Sequence, residues 1–198
     1  MKNKFSLIFS SIAIVAVMVV SGCGSSEQKG NDVANALEDL QKELETLETS
    51  NLYESIDGNF KVNFPAEPKV ESQSIPTEVG NIEMVSFMYE KSATEAYMVA
   101  YSDYPSAMVE ASDAKTLLEG VKSGFTGDLQ VSVIEEKEIK LGENPGIFFK
   151  ANSESYFVVF KDYLVKNRLY QIGILRDGSF PNDEAVKAFI DSFELINK

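Results

Sequence analysis

Hydrophobic and polar positions divide this chain into three stretches of different period. Phe5 to Val20 is one apolar run relieved only by serines, set behind Lys2 and Lys4. Gly24 to Asn31 is small and polar. Val33, Leu37, Leu40, Leu44 and Leu47 then recur at spacings of four, three, four and three, which predicts a helix capped by Asn31 or Asp32 and running to about Thr49. From Phe60 the period becomes two. Phe60, Val62 and Phe64 alternate with polar residues up to Pro65, a short strand. Val70 to Val79 alternates more weakly, and Gly80-Asn81 reads as a hairpin turn into Ile82 to Lys91. A turn at Ser92-Ala93-Thr94 leads into Ala96 to Ser102. Leu117, Leu118, Val121 and Phe125 form the stripe of a helix capped by Ser112 or Asp113, with Gly124 and Gly127 marking its end. Leu129 to Leu141 is extended, and Gly142 to Gly146 is a turn by composition. Strands follow at Ile147 to Lys150, Tyr156 to Val165 and Arg168 to Arg176, the last two joined at Lys166-Asn167. This most apolar pair belongs at the centre of a sheet. Pro181 suits the first turn of a closing helix that buries Ala185, Ala188, Phe189 and Phe193.

Strands, a helix, more strands and a last helix, with tight turns between them, predict an α+β domain: a single largely antiparallel sheet with helices packed on it. The expected organisation is a signal peptide over 1–22, an anchor, linker and amphipathic helix over 23–51, and the domain over 52–198.

The N-terminal pattern is that of a secretory signal: positive charge, apolar core, small residues. Sixteen residues at about 1.5 Å each reach roughly 24 Å, short of a hydrocarbon core of roughly 30 Å. Val20-Ser21-Gly22-Cys23 resembles the bacterial lipobox. That resemblance implies cleavage between Gly22 and Cys23, with acyl chains on Cys23 holding the chain at the extracytoplasmic side of a bacterial membrane. Each buried methylene contributes about 0.8 kcal/mol, so two or three chains anchor a protein almost permanently.

Charge and composition remove whole classes of function. Of 18 basic residues only Lys2 and Lys4 precede Cys23, and no acid does, so the chain from Cys23 onward carries 16 basic against 31 acidic side chains and a formal charge of −15. Such a surface repels nucleic acid, which needs clustered Lys and Arg. Cys23 is the single cysteine, and histidine and tryptophan are absent. Once Cys23 is acylated no thiol remains, and His-based triads, His bases and nearly every zinc or copper site are excluded. No cofactor is expected.

Candidate chemistry is sparse. The Gly-Val-Lys-Ser-Gly stretch ending at Gly124 is neither a nucleophile elbow nor a phosphate loop. Glu135, Glu136 and Glu138 read as a solvated strand face. Arg168 and Arg176, the only arginines, fall at opposite ends of one strand, about 26 Å apart, with Arg176 pairing locally with Asp177. No catalytic or metal-ligating residue is nominated. Tyr97 and Tyr101 share a strand face with Tyr104 just beyond and Tyr89 on the neighbouring strand, a candidate platform for a protein or glycan partner. The same row also suits a sheet face lying under a helix.

Gly58-Asn59-Phe60-Lys61-Val62-Asn63-Phe64-Pro65, Pro145-Gly146, Leu169-Tyr170-Gln171-Ile172 and Phe189-Ile190-Asp191-Ser192-Phe193 follow one another in the order of small extracytoplasmic bacterial domains with a PsbP-like fold, which residues 58–196 resemble. The resemblance implies a binding or assembly module and carries no functional residues onto this chain. The expected function is therefore a membrane-anchored envelope lipoprotein that is not an enzyme. The alternatives are an envelope hydrolase using paired carboxylates and an anchored spacer that self-associates through 33–47.

Overall fold

The computed structural model describes residues 52–77 and 80–197. The expectations for the signal peptide, Cys23, the linker and the helix over 31–49 lie outside those residues.

Among them the chain makes ten strands and three helices: β1 (Leu52–Ser55), β2 (Phe60–Asn63), β3 (Lys69–Thr77), β4 (Gly80–Ser92), β5 (Glu95–Asp103), α1 (Ser106–Ala111), α2 (Ala114–Leu129), β6 (Ser132–Leu141), β7 (Asn144–Asn152), β8 (Tyr156–Val165), β9 (Arg168–Asp177), α3 (Asp183–Phe189), a 3-10 turn (Ile190–Ser192) and β10 (Glu194–Leu195). The architecture is α+β and mostly antiparallel sheet, but there are two sheets rather than the single one expected. β3 to β9 form a seven-stranded sheet in the order β3-β4-β5-β9-β8-β7-β6, and β1-β2-β10 form a separate three-stranded one. β1 and β10 are four and two residues long, too short to show a period.

β9 and β8 take the centre of the large sheet, where their apolar runs placed them. Alternation then fills two cores. On one face Phe87, Val99, Ile172, Ile174 and Val159 pack under β2, α3, the 3-10 turn and the residues just after them, through Phe60, Val62, Phe64, Phe189 and Phe193. On the other face Phe149, Val158, Phe160, Leu164 and Leu169 pack under α1 and α2 through Val109, Leu118 and Phe125.

Several boundaries move for local reasons. Gly80 and Asn81 already belong to β4, where Gly80 pairs with Thr77. Helix α2 starts where Asp113 accepts a hydrogen bond from the Thr116 N–H at 3.2 Å. It runs through Gly124 and Gly127 and stops at Gln130, which is left-handed with φ 53°. Pro145-Gly146 lies inside β7 rather than in a turn, and Gly146 sits opposite Tyr163, whose ring and the Asp162 carbonyl occupy the space a Cβ would need. In α3, Asn182 is the cap, Pro181 precedes it, and Ala188 is exposed while Phe189 and Phe193 are buried. β6, an edge strand, has Ile134 bulged out of its ladder and 60% exposed.

Candidate functional site

At one end of the large sheet four connections converge: the loop before β2, the β6–β7 turn, the β8–β9 turn and the chain leaving β10. Lys166 occupies the β8–β9 turn at φ 57°, a conformation the two-residue hairpin demands and that a long side chain tolerates only at some cost. Asn167, next to it, donates from Nδ2 to the Tyr104 carbonyl at 2.9 Å and accepts the Tyr104 N–H on its own carbonyl at 2.8 Å. Asn59, left-handed at φ 55°, ties down the C-terminal stretch: its Oδ1 accepts from the Asn197 backbone and side chain, both at 2.9 Å.

Arg168 is the electrostatic centre of this end. Its Nε and Nη2 donate to the two carboxylate oxygens of Asp103 at 2.6 and 2.7 Å, and Nη1 donates to the Asp57 carbonyl at 2.7 Å. The guanidinium lies 4.3 Å from the centre of the Tyr101 ring. The hydrogen bonds to Asp103 outweigh desolvation and hold the Arg168 pKa above its ordinary range. Tyr170, 1% exposed, donates its hydroxyl to the Gly58 carbonyl at 2.7 Å.

Two cavities open here. One, of about 560 Å³, is lined by Asn59, Asn144, Lys166, Arg168, Leu195 and Asn197 among others. The second, of about 430 Å³ and mostly apolar, lies between the Leu141–Asn144 turn and Glu194-Leu195. They adjoin at Asn144 and Leu195, which line both, and flank β10 as a composite groove. Of the side chains here the sequence singles out Arg168 alone, as one of two arginines; the rest come from separate segments that no local pattern brings together.

The tyrosines expected to form a platform do not form one. Tyr89 and Tyr97 pair across β4 and β5, but Tyr97 is 3% exposed, with its ring edge-on to Phe189 at 5.1 Å. Its hydroxyl donates to Glu95 Oε1 at 2.6 Å. Tyr101 lies under Arg168. Tyr104 belongs to the other core, beneath the helices. Only Tyr97 lies on the sheet face under a helix, and Tyr104 is on the opposite face.

The glutamates of β6 and Arg176 are paired. Glu138 meets Lys115 at 2.5 Å, Glu136 meets the covered ammonium of Lys122, and Glu135 meets Lys137 and Lys150. Arg176 pairs with Glu95 at 3.4 Å and donates to the Phe180 carbonyl at 3.3 Å, in place of the local Asp177 pair expected. Burial pushes the Glu95 pKa up, but hydrogen bonds from Tyr97 and Lys91 outweigh it and leave the group below the usual carboxylate value. Among the described residues no cluster of acids could hold a metal ion. No family model matches the chain, and no curated protein matches it either.

Proposed function

We propose that this chain is a lipid-anchored envelope protein whose domain, PsbP-like in its succession of motifs, is a non-enzymatic binding or assembly module. Acyl chains on Cys23 hold it to the extracytoplasmic side of a bacterial membrane. The observation that carries the reading is the groove beside β10, where an apolar cavity adjoins one rich in amides and charge. Apolar surface with a few placed polar groups is the usual make-up of a recognition site.

Two measurements test it. Cys23→Ser should move the protein from the membrane fraction to the soluble one. Crosslinked capture from the organism's own envelope should retain a partner with wild type and lose it with Glu143→Lys/Lys166→Glu, which reverses two exposed charges at the groove and leaves the net charge unchanged. No enrichment by wild type would overturn the module, and capture unaffected by the double substitution would move the site elsewhere.

A further inference from the structure

β10 is the open edge of the small sheet: β2 flanks it on one side, and no strand among the described residues flanks it on the other. The direction of its backbone follows from one hydrogen bond. The Ile196 N–H donates to the Asn59 carbonyl of the β2 side at 3.2 Å. Backbone groups alternate sides along a strand, so Glu194 also points to β2 while the Leu195 N–H and C=O point away from it, at the open edge. Leu195 also lines the apolar cavity, which Leu141 and the turn after it bound.

Charge along the groove is ordered as well. Glu143 and Glu194 stand at the apolar cavity, and Glu194 is answered by Lys61 at 3.1 Å. Lys166 stands at the polar cavity, where Arg168 is already committed to Asp103. Among the described residues neither Glu143 nor Lys166 has an ion-pair partner. The groove thus offers an uncommitted acid at its apolar cavity, an uncommitted base at its polar one, an apolar seat, and at Leu195, which lines both, a donor and acceptor in register with a strand.

We propose that this groove takes an extended peptide segment of a protein partner as an added strand on β10. The segment carries a basic residue for Glu143, an apolar residue over Leu141 and Leu195, and an acidic residue for Lys166. Main-chain bonds to Leu195 supply affinity, and the alternate side chains and terminal charges supply specificity. This rests on the binding-module reading and adds the class and conformation of the ligand.

The probes are two acetylated, amidated heptapeptides, Lys-Ser-Val-Ser-Val-Ser-Glu and its reverse, one for each strand direction, with proline-interrupted versions as controls. They are titrated against the full-length protein purified from membranes in detergent, with hydrogen exchange read over 190–197 and 141–144. One order is expected to bind, to slow exchange across 194–197, and to lose binding when proline interrupts it. Leu195→Pro removes the outward N–H without touching a bond to β2 and should weaken binding about tenfold, the cost of leaving one backbone acceptor on the peptide unpaired. Because that substitution also alters a buried side chain, Glu143→Lys/Lys166→Glu serves as the second variant and should prefer peptides with their end charges exchanged. Failure of both peptides to bind, or binding that leaves exchange at 194–197 unchanged, overturns strand addition. Envelope capture by wild type that persists in that case keeps the module and discards only this mode of recognition.

Discussion

Arg168 and Asp103 face each other across the β5–β9 ladder, and two parallel hydrogen bonds, at 2.6 and 2.7 Å, join them. A planar fork on a carboxylate is something lysine cannot reproduce. Both groups reach solvent, with side-chain exposures of 23% and 50%, so screening limits what the pair contributes. Arg168→Lys should cost about 1 kcal/mol in urea unfolding, less at high salt. A loss that grew with salt would exclude this account. The variant should also loosen the 166–168 turn in hydrogen exchange, since the third donor to Asp57 goes with the fork.

Asp162 carries a cost whose size depends on pH. It lies on β8 opposite Gln171, fully buried, and neither carboxylate oxygen has a hydrogen-bond partner. Desolvation pushes its pKa well above the ordinary aspartate value. The nearby Gln171 amide offsets part of this without reaching hydrogen-bond geometry. Tyr104 and Tyr163, both raised first by burial and further by this carboxyl, are its titratable neighbours. Between the unfolded value, about 3.9, and the folded one, the native state holds a proton that the unfolded chain has released, so stability falls as pH rises. Asp162→Asn removes that dependence. Its melting temperature should exceed wild type's at pH 7, and the gap should shrink as pH falls from the raised folded value toward about 4 and level off below it. A gap constant with pH would contradict the buried, proton-holding carboxyl.

Gly173 leaves room for an aromatic ring. It pairs with Phe160 across β8 and β9, and the ring fills the space its Cβ would take. Phe160 cannot retreat, because Phe125 and Phe149 hold it at centroid distances of 4.4 and 5.7 Å. Gly173→Ala should therefore destabilise by about 1–3 kcal/mol through overpacking. Phe160→Leu in the same chain should return part of that, a non-additivity that a double-mutant cycle reads directly.

Tyr97 separates packing from hydrogen bonding. Tyr97→Phe keeps the contact with Phe189 and loses the hydroxyl bond to Glu95, for about 1 kcal/mol. Tyr97→Ala empties a core position, for about 3–5 kcal/mol. Glu95, held below the usual carboxylate value, contributes stability that is complete above its unfolded value and is lost as pH falls through its folded one. Tyr97→Phe should therefore flatten the acid limb of the stability profile, and an unchanged limb would show that Lys91 and Arg176 hold Glu95 by themselves.

Local signals carried much of the domain. The alternation of Phe60, Val62 and Phe64, the turn at Lys166-Asn167, the apolar runs of β8 and β9 and the stripe of α2 each depend on neighbours a few residues away, so α+β with a mostly antiparallel sheet was legible. Two short strands were not. β10 is two residues long and becomes a strand only because β2 lies beside it, so the second sheet escaped a reading based on period.

Charge, the missing histidine and the tetrad ending at Cys23 were determined by the sequence itself, since they need no folding to be counted. The tertiary structure alone decided what covers each face. An alternating strand shows that its two sides differ, but it looks the same whether the apolar side meets a helix or solvent, and so Tyr97 could be read as platform or core. The groove beside β10 depends on contacts still longer in range. Arg168 finds Asp103 65 residues away, and Asn59 meets Asn197 across 138. Such pairings are set by strand order and register, which no local pattern encodes.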